Sequence, residues 1–263
     1  MEASVRAPAV AGMFYTDDPR ALARQVDGFL AAAEASAPIP KAIIAPHAGF
    51  MYSGAVAGSV YQRLHPARAR IRRVLLLGPS HRVGFRGLAL PSHHHFATPL
   101  GKVAVDRAAL AEVADLAGVQ TRDDAHALEH GLEVHLPFLQ RLFADFTVVP
   151  VVVGDADPAT VSPLLERLWG GEETLVVISS DLSHFLDYHS ARDRDTATSR
   201  AIVELRPDAI DHGDACGRNP INGLLALARQ RGLSGECLDL RNSGDTAGSR
   251  DRVVGYGAYA FYE

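Results

Sequence analysis

In VLLLGPSH, residues 74–81, an apolar run passes through Gly-Pro-Ser and stops at His81. Apolar residues fill every position of the run instead of alternating with polar ones, which predicts a strand covered on both faces. The same pattern recurs in AIIAPH, which ends at His47, and in LVVISSDLSH, which ends at His184. Three apolar strands are therefore predicted to place an imidazole just beyond their ends.

Helical segments separate these strands along the chain. Apolar residues recur at helical spacing in TDDPRALARQVDGFLAAAEA (16–35), VAGSVYQRL (56–64), RAALAEVADLAG (107–118), EHGLEVHLPFLQRLF (129–143), TVSPLLERLWG (160–170) and INGLLALARQRG (221–232). Further strands are predicted in FTVVPVVVG and in VVGYGAYAFYE. The alternation predicts one α/β domain over residues 1–263, a layered fold with a mostly parallel or mixed central sheet flanked by helices.

Composition narrows the classes of partner. Lys and Arg number 26 and Asp and Glu number 31, and this net charge of −5 argues against nucleic acid as the main partner. No apolar segment approaches the roughly 20 residues of a spanning helix, and MEASVRAPAVAGMFY lacks the apolar core of a secretory signal. Cys216 and Cys237 form no C-x-x-C pair, which suits a reducing compartment. We therefore expect a cytoplasmic protein that binds no membrane, with both thiols buried or half-buried as small apolar groups.

The histidines that follow two of the strands form a candidate metal site. Ligands of open α/β sheets lie at the carboxyl ends of the strands, where His47 and His81 are predicted to meet. Two imidazoles and a carboxylate hold Fe(II) in non-haem oxygenases, and zinc hydrolases use similar ligands. A single histidine at a strand end is commonly only a hydrogen-bonded loop residue. The repetition of the pattern favours a shared site, but it does not choose the metal.

A third ligand is available in the Gly-rich loop RNSGDTAGSRDRVVGYG, residues 241–257, before the last strand. Asp245 would supply the carboxylate that completes a two-histidine set. A turn residue whose side chain bonds its own backbone is the competing interpretation of Asp245.

The segment SSDLSH, residues 179–184, offers an acid/base pair. Asp181 could fix the tautomer of His184, which would then transfer protons. Alternatively, Asp181 or Ser183 caps a short helical turn.

The segment EHGLEVHLPF, residues 129–138, is a second source of polar groups. Helical spacing relates Glu133 to His130 and to Glu129, so these side chains could enter one cleft and line the pocket. They could equally mark an exposed helix start, where acidic residues are favoured.

Several motifs together resemble the Memo family. They are RAPAVAGMFY (6–15), APHAGFMYSG (45–54), LGPSH (77–81), EHGLEVHLPF (129–138), SSDLSHF (179–185) and the NSGD…VVGYGA tail, and they span essentially the whole chain. The resemblance implies a fold similar to class III extradiol dioxygenases, which cleave catechol rings with non-haem Fe(II).

The resemblance also implies roles for individual residues. It makes His47 and His81 metal ligands and places Asp181 and His184 at the same pocket. Animal Memo proteins are expected to supply a cysteine from the loop before the last strand, where this chain has Thr246 beside Asp245. Neither cysteine of this chain is expected to replace it, which favours a two-histidine, one-carboxylate site through Asp245.

These observations lead to one main functional hypothesis and two alternatives. The main one is an Fe(II)-dependent oxidoreductase acting on a small molecule, with zinc or copper as other candidate metals. The alternatives are a non-catalytic module that binds a peptide or partner protein in the same cleft, and a zinc-dependent hydrolase. The resemblance further implies a pathway link to a radical-SAM protein and an AMMECR-type protein.

Overall fold

A computed structural model describes residues 4–34 and 38–263. In these ranges the chain forms an α/β fold with a mixed, mostly parallel sheet. Its twelve strands are β1 (Val5–Arg6), β2 (Ala42–Ala45), β3 (Arg73–Pro79), β4 (Leu88–Leu90), β5 (His95–Thr98), β6 (Gly101–Val105), β7 (Val119–Thr121), β8 (Thr147–Val153), β9 (Thr174–Ser179), β10 (His184–Leu186), β11 (Ser234–Asn242) and β12 (Val253–Tyr262).

Nine α-helices lie in the same described ranges, together with three short 3-10 segments. The helices are α1 (Pro19–Ala31), α2 (Phe50–Tyr61), α3 (Arg107–Val113), α4 (Asp123–Ala127), α5 (Leu136–Leu142), α6 (Pro158–Arg167), α7 (Tyr188–Val203), α8 (Arg218–Arg231) and α9 (Ser243–Thr246). The 3-10 segments are Gln62–Ala67, Glu133–His135 and Pro207–Ala209. Across residues 4–34 and 38–263, none of the helices combines the length and apolar character needed to span a membrane.

The sheet order is β1-β5-β6-β8-β3-β9-β2-β12-β10, and β11 lies off this path, where it pairs with β12. The four strands β8, β3, β9 and β2 run parallel to one another at its centre. Every residue of β2 and β9 is buried, because α2 contacts the β2 side and α8 contacts β3 and β9. The predicted α/β sheet, apolar on both faces of its central strands, is confirmed.

Strand register brings the candidate residues to one edge. Ala45, the last residue of β2, pairs with Ser179, the last residue of β9, and Leu77 of β3 pairs with Ile178. Because these strands are parallel, the segments that follow them leave from the same edge of the sheet. The segments that carry His47, His81 and Asp181 therefore start next to one another.

One predicted helix starts later than expected, one strand was not predicted, and one predicted residue cannot be compared. The helix predicted from residue 129 starts later, with a 3-10 turn at Glu133 and α5 at Leu136, because the Glu129 carboxylate accepts the backbone N–H of Gly131. The antiparallel strand β11 was not predicted, since its residues are only half-buried and lack a clear apolar pattern. The last predicted residue of the first helix, 35, lies outside the described residues.

Candidate metal centre

His47 follows β2 and is fully buried, with its ring held by a neighbouring strand end. The Ser179 hydroxyl donates to the carbonyl of Gly131, so it accepts the hydrogen of His47 Nδ1, which lies 2.6 Å away. This bond fixes the tautomer and leaves the lone pair of Nε2 available as a ligand. Burial, aided by the charges of neighbouring imidazoles, holds the pKa of His47 well below its usual value. The ring is therefore neutral.

His81 follows β3 and is oriented by a buried carboxylate. Glu129 accepts from the backbone nitrogen of His81 and from its Nδ1, both at 2.7 Å. Burial opposes ionisation of Glu129, but the hydrogen bonds from His81 and Gly131 outweigh it and lower the pKa of the carboxyl. Such carboxylate–histidine pairs are typical of metal sites, because they aim the other ring nitrogen at the ion.

Cys216 completes the group. Its Sγ lies 3.3 Å from Nε2 of His47, and the ring centroids of His47 and His81 are 5.0 Å apart. One ligand atom from each of His47, His81 and Cys216 lies within 4.8 Å of the other two, a group that could hold a metal ion. Burial and then the charge of Asp181 raise the pKa of this thiol. A bound cation reverses that preference, because a coordinating thiol is deprotonated.

The prediction that neither cysteine reaches the histidines is therefore wrong. Cys216 is far from His47 in sequence, and the loop that enters α8 delivers it to the end of β9. Gly217 makes this approach feasible: a Cβ atom there would lie 2.6 Å from the Ser179 carbonyl oxygen. The sequence ACGRNP carries only part of this signal: Pro220 in the first turn of a helix marks a helix start directly after the cysteine, but not the path of the loop before it.

Asp245, the expected third ligand, has a structural role instead. It lies in the short helix α9, where its carboxylate accepts from the backbone nitrogen of Asn242 and from the Tyr188 hydroxyl at 2.6 Å. The neighbouring Thr246 donates its hydroxyl to the carbonyl of Ser243. Neither metal-capable group found in residues 4–34 and 38–263 contains Asp245 or Thr246. The bond to the backbone nitrogen of Asn242 agrees with the competing interpretation, in which Asp245 is a turn residue that bonds the nearby backbone.

His130 lies against the centre, whereas Glu133 does not. The His130 ring stacks on His81, with the ring centroids 4.4 Å apart. His81, Glu129 and His130 form a second group whose ligand atoms lie close enough together to hold a metal ion. Burial and the proximity of His81 lower the pKa of His130 to about 4. Glu133 is instead buried against Arg6, and it accepts hydrogen bonds from the N-terminal arm. It therefore anchors the arm rather than lining the pocket.

Asp181 contacts His47 instead of orienting His184. Its Oδ1 accepts the backbone N–H of His47 at 2.8 Å, and its Oδ2 lies 4.0 Å from His47 Nε2. Burial raises the pKa of Asp181 to about 6. His184 Nδ1 donates to the carbonyl of Leu182, which fixes its tautomer. The capping alternative is not observed either, because Asp187 caps the following helix α7.

A cavity of about 840 Å³ opens beside the centre, and His130, Asp181 and His184 line it. Its remaining wall comes from the arm at residues 12–17, Gln25 of α1, the start of α2 with the two residues before it, and residues of the segment 243–256. A second cavity of about 500 Å³ reaches Cys216 and shares no lining residue with the first. Ligand pockets of this size and location are typical of substrate sites in α/β proteins.

The fold and the site together define an α/β protein with a histidine–cysteine centre at the carboxyl edge of its sheet. Residues 6–260 match the family described as Memo-like protein. A MEMO1 family protein of Aeropyrum pernix is 34% identical over 278 residues, which cover 97% of this chain and 98% of that protein. MEMO1 family proteins of Aquifex aeolicus and Methanosarcina barkeri are each 34% identical over at least 96% of this chain and at least 97% of their own. The chain belongs to the Memo family.

Proposed function

We propose that this chain is a metal-dependent oxidoreductase whose transition metal is bound by His47, His81 and Cys216. The observation that carries the proposal is the convergence of two fixed imidazoles and a thiol next to a large cavity. The hydrogen bonds to Nδ1 of both rings support it, because they leave each Nε2 free for a ligand bond.

The donor set bears on the choice of metal. A redox-active metal in this position would supply electron transfer to or from a bound substrate. Iron remains the predicted metal, but a thiolate in place of a carboxylate also suits copper and zinc. The two histidines and Cys216 fit such an ion because Nε2 of His47 and Sγ already lie within ligand distance of a common point.

Proton transfer is assigned to groups of this chain. Asp181, with a pKa of about 6, can hold or release a proton at its Oδ2 beside His47 near neutral pH. His184 lines the cavity with Nδ1 bound to a carbonyl, so its Nε2 is the atom that would exchange a proton with a substrate. His130, neutral at physiological pH, would pack against the bound molecule.

A zinc-dependent hydrolase is the second candidate, because catalytic zinc sites use mixed thiolate and imidazole ligands. A non-catalytic peptide-binding module would use the same cavity without turnover. The expected link to a radical-SAM protein and an AMMECR-type protein stays a prediction.

Metal analysis tests the proposal most directly. Untagged protein purified without chelators should carry one equivalent of iron or copper, and it should consume oxygen with a dihydroxy-aromatic or related substrate. Cys216→Ala should weaken metal binding by more than the roughly 10–100-fold that loss of an outer partner costs. Cys237→Ala is the matched control, because Cys237 lies on β11 outside both metal-capable groups of the described residues.

Other outcomes of these measurements would favour a different candidate or contradict the ligand set. Zinc alone, with ester or amide cleavage, would favour the hydrolase. Metal affinity that is equal in Cys216→Ala and Cys237→Ala would contradict the assigned ligand set, and loaded protein without any turnover would favour the binding module.

A further inference from the structure

The large apolar side chains that are exposed in residues 4–34 and 38–263 either line the cavity or adjoin residues of the candidate site in sequence. Among the described residues, four large apolar side chains are exposed: Met13 at 72%, Met51 at 63%, Leu128 at 65% and Phe185 at 61%. Met13 and Met51 line the large cavity, Phe185 follows His184, and Leu128 precedes Glu129. Clustered exposed apolar groups mark binding surfaces, and methionines adapt to varied apolar partners.

Phe185 also has an unfavourable backbone conformation. Its φ is +61°, a region that bulky side chains rarely adopt, and the pairing of β10 with β12 shifts register between His184 and Leu186. Bulges beside active sites redirect side chains, and strain of this kind concentrates at functional positions. Since Phe185 is exposed, packing of the core does not account for a bulky residue in this conformation.

Arg252 supplies a cation next to this apolar surface. It lines the cavity, and its guanidinium lies 5.1 Å above the ring of Phe185. None of the ion pairs among residues 4–34 and 38–263 includes Arg252. The cavity has two acidic side chains, but Asp181 faces His47, and the Asp17 carboxylate packs beside Gly12 of its own arm. Arg252 is therefore available to an anion.

We propose that the large cavity binds an organic anion with an apolar, aromatic-sized body. The anionic group pairs with Arg252, and the body lies against Met13 and Met51 of the cavity lining and extends to Phe185, whose ring packs on Arg252. A cavity of about 840 Å³ holds a molecule of that size, and His184 and Asp181 also line it. This inference rests on the proposed function, for which it names the chemical class of substrate.

A pair of fluorescent probes tests the inference on the metal-free full-length protein. Anilinonaphthalene sulfonate has an aromatic body and an anionic group, whereas phenylnaphthylamine has the same body without the charge. Arg252→Gln should weaken binding of the sulfonate about tenfold, the loss expected for one charge-assisted contact, and leave the neutral probe unchanged. Arg250→Gln is the matched control, because Arg250 stacks on Tyr188 and does not line the cavity.

Phe185→Gly separates binding from folding. Glycine adopts positive φ without strain, so the melting temperature should stay the same or rise, while both probes should bind several-fold more weakly. Leu205→Gly is the control for a glycine at a positive φ, since Leu205 has φ +54° and follows the end of α7, whereas Phe185 packs on the lining residue Arg252; it should leave probe affinity unchanged.

Two outcomes would overturn the inference. One is an equal loss of sulfonate binding in Arg252→Gln and Arg250→Gln, and the other is unchanged probe affinity in a folded Phe185→Gly protein. Because the probes are measured without metal, a failed metal titration leaves this result interpretable.

Discussion

At the scale of single residues, two buried glutamates four positions apart have separate tasks. Glu129 bonds His81, whereas Glu133 bonds Arg6 and the arm. Glu129→Gln should therefore lower metal affinity by about 10–100-fold, because the amide holds the His81 ring less firmly and makes it a weaker ligand. Calorimetric metal titration of the folded variant measures this loss; an affinity equal to that of the parent would show that the carboxylate does not orient the ligand.

Glu133→Gln should produce the opposite pattern. It breaks a fully buried ion pair and leaves Arg6 without its partner, which costs about 3–5 kcal/mol in the free energy of unfolding. Metal affinity of the protein that remains folded should change little, since Glu133 belongs to neither metal-capable group of the described residues. Urea denaturation and metal titration on the same sample check both statements, and a large loss of metal affinity with normal stability would contradict them.

At the scale of elements, the start of α8 determines whether the cysteine reaches the histidines. Gly217→Ala would place a Cβ atom 2.6 Å from both the Ser179 carbonyl oxygen and the Ser180 Cβ, so the loop must move away from β9. The expected result is weaker metal binding together with lower thermal stability. Gly84→Ala is the control, because a Cβ there meets nothing within 4 Å. Equal metal affinity in the two variants would show that Cys216 is held in place by other contacts.

The same element shows how far the sequence could predict the site. Continuous apolar runs identify β2, β3 and β9, and parallel register then brings His47 and His81 together without further information. The position of Cys216 depends instead on the path of an irregular loop, which periodicity does not encode. Asp245 was a plausible ligand by residue type alone, but its bonds to Asn242 and Tyr188 are tertiary contacts.

At the scale of the whole molecule, buried neutral histidines link stability to pH. Burial lowers the pKa of His126 and His130 to about 4 and that of His135 to about 3, from an ordinary value of 6.5. The unfolded chain therefore binds more protons between pH 6.5 and 4, so the stability they contribute is complete above pH 6.5 and is lost as the pH falls. The pKa of Asp181 is raised to about 6, so this carboxyl stabilises the folded state as the pH falls, but the three histidines outnumber it.

Metal-free protein should accordingly unfold at lower urea concentration as the pH is lowered from 7 to 4.5. Each neutral histidine contributes up to about 1.4 kcal/mol per pH unit to the slope of the free energy of unfolding against pH, which corresponds to one proton. His135→Asn should therefore reduce this slope by about that amount, even if it lowers stability at pH 7. His135 suits this test because it is buried against Tyr61 and lies outside both metal-capable groups of the described residues. A His135→Asn protein with the full pH slope would mean that the imidazole is already protonated in the folded state.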